Sequence, residues 1–93
     1  MFNRCIRLKP NHAAAYYNRG RVYYQLKEYK PAIANFDTAI TLKPAFEIAY
    51  FNRALALLEL NPKDNKDKAC NDFGKAIELG FLDAAMYLKK YCE

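Results

Sequence analysis

The chain has 93 residues, of which 53% are hydrophobic and 27% charged, and its formal net charge is +5. This length and balance indicate one globular domain with a modest core and exclude wholesale disorder. The longest apolar-rich stretch, residues 48–60, is too short and too often interrupted by polar residues to span a bilayer, so no membrane partner is expected. The mild positive charge favours acidic partners without identifying nucleic acid.

Few residues could carry chemistry. The three cysteines include no C-x-x-C pair, and the single histidine, His12, has no cysteine, histidine or carboxylate near it in the sequence. We therefore expect no catalytic site, no metal site and no cofactor, and the chain is not expected to be an enzyme. Residues 1–10 lack the apolar segment of a signal peptide, which favours a cytoplasmic chain if Met1 is the natural start.

Taken in chain order, the sequence repeats itself. AYYNRG begins at Ala15 and AYFNRA at Ala49, 34 positions later, and a third, partial copy follows with three extra residues. The extra residues lie in NPKDNKD (61–67), whose Pro, Asn and Asp predict a loop. Apolar positions recur at helical spacing twice in each copy, so each copy predicts two helices. Internal repetition at this period is typical of stacked helical hairpins, which cannot bury their apolar faces alone.

The repeat divides the chain into four predicted segments. Residues 1–10 match only the end of a second helix, which favours a piece excised from a longer array over a half-repeat that caps the start. Residues 11–44 form repeat one, and residues 45–81 form repeat two with a longer turn between its helices. Residues 82–93 predict a capping helix whose lysines face water.

Small and charged residues in the repeats predict specific contacts. Gly20 and Ala54 would let the two helices of each hairpin approach closely, and Gly80 fits the left-handed position after a helix. Across the hairpins, Arg19 is expected to meet Asn35, and Arg53 to meet Asp72. These arginines therefore have an expected structural role rather than a ligand contact.

The repeated residues resemble the tetratricopeptide repeat, a family with the 34-residue pattern W-x2-L-G-x2-Y, A-x3-F, A and P. The matching positions in repeat one are Tyr16, Arg19, Gly20, Tyr23, Ala32, Phe36, Ala39 and Pro44. Those in repeat two are Tyr50, Arg53, Ala54, Leu57, Ala69, Phe73 and Ala76, with Phe81 where the proline belongs. The resemblance implies an all-α, right-handed superhelix (a solenoid) of about two and a half helix-turn-helix units. It also implies a non-catalytic protein-interaction module.

In the resembled family, the first helix of each unit lines a concave groove that binds a peptide or a partner helix. Carried over, the expected partner-binding residues are Tyr17, Asn18, Arg21, Tyr24, Ile48, Phe51, Asn52, Leu55 and Leu58, joined on the last helix by Ala85, Leu88 and Lys89. Apolar side chains would anchor the partner, the two asparagines would hold its backbone, and Arg21 would select an acidic group. A grip on a terminal carboxylate is not expected, because Tyr17 and Ala85 stand where the family has lysines.

Four of these side chains, Ile48, Phe51, Leu55 and Leu58, make the helix apolar on both sides, which normally means burial on both sides. A partner in the groove would cover them; so would self-association through residues 48–58 or a missing part of a parent protein. The chain could then be a self-assembling scaffold or a regulatory or targeting segment. RNA binding is less expected, because the groove offers only Arg21 and Lys89 as clear cations.

The cysteines leave two alternatives open. Cys70 and Cys92 fall at the same level of two antiparallel helices around Gly80 and could form a disulfide or be two small buried hydrophobic residues. Cys5 aligns with Ala39, a tight packing position, and is expected to be inert.

Overall fold

The computed structural model describes residues 12–92, and this part of the chain is helical throughout, with no strand. Its helices are α1 (Ala13–Gln25), α2 (Tyr29–Leu42), α3 (Glu47–Leu60), α4 (Pro62–Glu78) and α5 (Ala84–Cys92). The predictions for residues 1–10, including the inert role of Cys5, lie outside the described residues.

The helices form two successive hairpins and one further helix. Each helix packs against the next in the chain, and α1 also contacts α3, so the first helices of the two hairpins lie side by side. This is the arrangement of an all-α solenoid, in which neighbouring hairpins bury each other's apolar faces. The predicted fold class is confirmed.

The core consists of small residues around two large rings. Phe36 and Phe73 are fully buried, one in each hairpin. Alanines at the repeated positions surround them, namely Ala32, Ala39, Ala54, Ala69 and Ala76, and each is 0% exposed. Because alanine allows helix axes to come close, a single phenylalanine per hairpin suffices to fill the remaining space.

The prediction of a loop over residues 61–67 is wrong, since α4 begins at Pro62. The Asn61 side chain caps the helix by accepting a hydrogen bond from the Asp64 backbone N–H at 3.1 Å. Pro62 occupies the first turn, where its missing N–H is not needed, and Asp64 lies near the positive end of the helix dipole. Pro, Asn and Asp start helices as well as loops, and here the extra residues lengthen α4 at its N-terminus.

The connection from α4 to α5 agrees with the prediction made from the sequence. Gly80 has a φ of +107°, the left-handed conformation expected of a residue just after a helix. The reversal brings Cys70 of α4 opposite Cys92 of α5, with their Cα atoms 6.0 Å apart, and the two form a disulfide. Of the two alternatives left open for these cysteines, the bridge is the one that the structure shows.

Replacement of glycine by alanine is expected to have opposite effects on stability at two positions. In Gly20→Ala the added Cβ would lie 2.7 Å from the buried Phe36 ring, so we expect a loss of about 1–3 kcal/mol. In Gly74→Ala nothing lies within 4 Å of the added Cβ, so the better helix propensity should add about 0.5–1 kcal/mol. Urea unfolding of both variants measures the difference. Equal changes in both would show that the helices at Gly20 can move apart at no cost.

Candidate functional site

The residues expected to bind a partner lie on one side of α1 and one side of α3. We call this surface the groove face; it comprises Tyr17, Asn18, Arg21 and Tyr24 of α1 and Ile48, Phe51, Asn52, Leu55 and Leu58 of α3. Asn18 and Arg21 are exposed, and the other seven residues are half-buried. The face therefore combines two exposed polar side chains with a strip of large apolar and aromatic groups.

A hydrogen bond joins the two helices across the groove face. Asn52 Nδ2 donates to the Tyr17 hydroxyl at 2.9 Å and to the Ile48 carbonyl oxygen at 2.9 Å. Both amide hydrogens of Asn52 are thus used within the chain, and only its Oδ1 acceptor is left for a ligand. Asn18, one repeat earlier, has no such bond among the described residues. Asn18 and Asn52, which were expected to be equivalent, therefore differ in their hydrogen bonding within the described residues.

Tyr17 is held in place from three sides. Its ring packs on Phe36 and Phe46, with centroid distances of 5.8 and 5.0 Å. Burial raises the pKa of the Tyr17 hydroxyl, while the neighbouring Arg21 and Asn52 act in the opposite direction. Arg21 thus places an exposed cation close to the Tyr17 hydroxyl.

The apolar strip on α3 is partly covered from within the chain. The Phe51 ring contacts Phe81 and Tyr87, each at 4.9 Å, and Phe73 at 5.9 Å. Leu55 and Leu58 pack at the edge of the same core cluster. From the sequence, self-association or a missing segment was expected to cover these apolar side chains if no partner did. In the structure, α5 and the turn before it cover Phe51.

The far end of the groove face contains tyrosines that the sequence analysis did not select. Burial raises the pKa of the Tyr24 hydroxyl, and the nearby Glu59 carboxylate and the Tyr87 and Tyr91 hydroxyls raise it further. The Tyr24 ring packs on Tyr29 of α2, with centroids 5.5 Å apart, and Tyr87 of α5 packs on Phe51 of the groove face at 4.9 Å. Tyr87 aligns with the packing residues Tyr16 and Tyr50, and for that reason it was not recognisable in sequence as a groove residue. Ala85 and Lys89, which the sequence predicted to face the groove, are exposed on α5.

The repeated arginines have the structural role predicted for them. Arg19 Nε donates to Asn35 Oδ1 at 2.7 Å. Arg53 Nε and Nη2 donate to the two oxygens of Asp72 at 2.8 and 2.7 Å, and its Nη1 donates to Asp37 at 2.8 Å. The hydrogen bonds to Asp72 raise the pKa of Arg53, whereas burial raises the pKa of Asp72 against the opposing effect of Arg53.

A cleft of about 380 Å³ lies beside this ion pair and shares no residue with the groove face. Its lining residues are Ile33, Asp37, Arg53, Leu57, Lys68, Asn71 and Asp72. Both of its carboxylates are hydrogen-bonded to Arg53, so the cleft is a consequence of the interlocked hairpins.

Neither a metal-binding cluster nor a membrane-spanning helix is found within residues 12–92. No group of three or more histidine, cysteine, aspartate or glutamate side chains there is arranged to hold a metal ion. None of the helices in this range combines the length and the apolar character needed to cross a membrane.

Solved structures share this arrangement of helices. The first TPR of Spaghetti (RPAP3), bound to the HSP90 peptide SRMEEVD, matches with a TM-score of 0.89 and 23% identity over 97% of this chain and 71% of that one. The second TPR domain of human RPAP3, in complex with the HSP70 peptide SGPTIEEVD, matches with a TM-score of 0.87 and 24% identity over 99% and 76%. A MamA RS-1 double mutant matches with a TM-score of 0.80 and 27% identity over 94% of this chain and 48% of that one.

Sequence comparison agrees with the fold. No curated protein is significantly similar to the chain in sequence. The model of the tetratricopeptide repeat family matches residues 13–46, which correspond to α1, α2 and the turn that follows. Residues 13–46 are therefore a tetratricopeptide repeat, and the described part of the chain has the fold seen in the RPAP3 TPR domains.

Proposed function

We propose that the chain is a non-catalytic protein-interaction module, and that the groove face binds a peptide or a helix of a partner protein. The observation that carries this proposal is a surplus of large side chains on one surface. Phe36 and Phe73 are the largest fully buried side chains, and alanines make up most of the remaining buried core. Yet Tyr17, Tyr24 and Leu55 remain half-buried on the groove face, where a partner could desolvate them further.

The free energy available from burying these side chains against a partner is sufficient for a specific complex. Full burial of a large apolar side chain contributes about 1.5–3 kcal/mol, and a half-buried one can contribute a part of that. Interfaces concentrate their binding energy in a few aromatic and arginine side chains near the centre of the contact. Tyr17 and Arg21 are residues of these two kinds, and the Tyr17 ring is held by Phe36 and Phe46 before any partner arrives. Rigid placement lowers the entropic cost of binding.

The partner is proposed to be acidic. Arg21 is an exposed cation on the groove face, and the net charge of +5 favours approach of a negatively charged partner. The RPAP3 domains described above hold peptides that both contain the sequence EEVD. In this chain Tyr17 and Ala85 replace the lysines expected of a carboxylate grip, so we propose recognition of an internal acidic segment and not of a free C-terminus.

A selection from displayed random peptides tests the proposal. Peptides retained by the chain are expected to carry acidic and apolar residues. Arg21→Glu should weaken their binding by about tenfold or more, because it replaces attraction with repulsion at the centre of the site. Lys75→Glu makes the same charge change at an exposed position of α4 and should leave the dissociation constant within about twofold. Equal losses in both variants would place the peptide elsewhere, and an empty selection would contradict the proposal.

A further inference from the structure

The last helix covers part of the groove face, and its own attachment is limited. Its inner side packs on the core cluster through Ala84, Tyr87, Leu88 and Cys92. Its outer side is exposed, with Met86 at 74%. By alignment Met86 stands where Ala49 is 0% exposed, and Tyr91 stands where Ala54 is 0% exposed. Helix α3 is therefore packed on both sides, whereas α5 is packed on one.

Helix α5 depends on tertiary contacts for its stability. It has nine residues, fewer than an isolated helix needs to persist in water. Among the described helices, α4 is its main packing partner. At one end it follows the Gly80 turn, and at the other its final residue, Cys92, is joined to Cys70 of α4. The disulfide thus ties the C-terminal end of α5 to α4.

The rings covered by α5 are the apolar part of the groove. Tyr87 lies 4.9 Å from Phe51 and 5.9 Å from Phe73, measured between ring centroids. Departure of α5 would expose both phenylalanines on the side that faces it. Hairpin one would keep its core, and the Arg53–Asp72 pair would still join the two helices of hairpin two.

We propose that a thiol reductant opens the groove face by breaking the Cys70–Cys92 bond and releasing α5. The use of this opening rests on the proposed function, in which Phe51 is part of the binding surface. Both cysteines are half-buried, so a small thiolate can reach the sulfurs. The thiolate attacks one sulfur and forms a mixed disulfide, and a second thiol resolves it. Two electrons and two protons pass to Cys70 and Cys92, and the reductant leaves as its disulfide.

The expected size of the effect follows from the closed loop. The bridge spans a sequence separation of 22 residues. The chain-entropy relation for a loop of this length corresponds to about a 300-fold change in the equilibrium between docked and released α5. The reduced chain is therefore expected to sample the released helix about 300 times more often than the oxidised chain.

Hydrogen exchange followed by mass spectrometry tests the proposal on the full chain. Cys5→Ser serves as the background, so that Cys70 and Cys92 are the only cysteines present. On addition of dithiothreitol, amides of residues 84–92 should exchange about 300-fold faster, while those of residues 13–60 keep their protection. A rise in fluorescence of the apolar dye 8-anilinonaphthalene-1-sulfonate should accompany the change as Phe51 and Phe73 become accessible.

The matched control is Cys70→Ser/Cys92→Ser in the same background. It should exchange at the reduced rate with or without dithiothreitol, which assigns the response to this bond. Unchanged exchange of residues 84–92 on reduction would overturn the proposal, as would simultaneous loss of protection over residues 13–60. Two titratable thiols per chain in oxidising buffer would overturn it as well. The exchange experiment needs no partner, so a failed peptide selection would contradict the proposed function alone, and unchanged exchange would contradict the opening alone.

Discussion

Replacement of Phe73 by alanine is expected to destabilise the chain by about 3–5 kcal/mol. The side chain is fully buried, and its ring contacts Phe51 of α3 and Tyr87 of α5. Three helices therefore lose packing at once. The flanking alanines are small and fully buried, so they cannot fill the space left by the ring. A loss of this size is a large fraction of the total stability of a small domain.

Urea unfolding in oxidising buffer measures this loss, and Met86→Ala is the matched control. Met86 is also a large apolar residue, but it is 74% exposed, so its truncation should change the free energy of unfolding by less than about 0.5 kcal/mol. Similar losses in the two variants would mean that the outer side of α5 is covered in solution. A loss below about 1 kcal/mol for Phe73→Ala would contradict its central place in the core.

Replacement of Asp72 by alanine is expected to have the second-largest effect, about 2–4 kcal/mol. The Asp72 side chain is 8% exposed and accepts two hydrogen bonds from Arg53, whose side chain is 23% exposed. Truncation leaves a largely buried guanidinium with Asp37 as its remaining carboxylate partner in the described structure. The uncompensated charge, more than the lost ion pair, accounts for the expected cost.

Asp72→Asn is the informative companion to this variant, because repeat one already pairs its arginine with an asparagine. Arg19 donates to Asn35 at the position equivalent to Asp72. An amide at position 72 keeps one acceptor for Arg53, so the expected loss is about 1 kcal/mol. Thermal unfolding of both variants at neutral pH compares them. If asparagine were as costly as alanine, the negative charge and not the hydrogen bond would be what this position requires.

The groove face and the last helix are connected through one residue. Phe51 belongs to the surface proposed to bind a partner, and it is also the residue against which Phe81 and Tyr87 pack. Any occupant that needs Phe51 therefore competes with α5. Since Cys70 and Cys92 hold α5 in place, the binding surface and the disulfide are expected to influence each other.

Much of the fold could be predicted from sequence, because the features concerned are local or periodic. The 34-residue spacing and the helical recurrence of apolar residues predicted two hairpins. The pairing of Arg53 with Asp72 followed from counting outward from the turn, and the left-handed Gly80 followed from its place after a helix. Each of these inferences depends on residues close in sequence or related by the repeat.

The site was less predictable, because it depends on how far helices approach and rotate. Residues 61–67 contain residue types that occur both in loops and at the start of helices. Only the hydrogen-bonded cap between Asn61 and Asp64 shows that a helix begins here. Residues at equivalent positions of the repeat also differ in their surroundings. Asn52 is hydrogen-bonded to Tyr17, whereas Asn18 is exposed. A repeat pattern assigns the same role to equivalent positions, but their neighbours in space differ.

The sequence by itself determined that this protein is a stack of helical hairpins with a phenylalanine core, because its period and its small residues allow no other efficient burial. Tertiary structure alone decided which groove residues remain available. It placed α5 over Phe51, and it brought Cys70 and Cys92 to a Cα separation of 6.0 Å, where a bond can form. Level positions on facing helices are compatible with contact or with separation, and packing around Phe73 settles the distance.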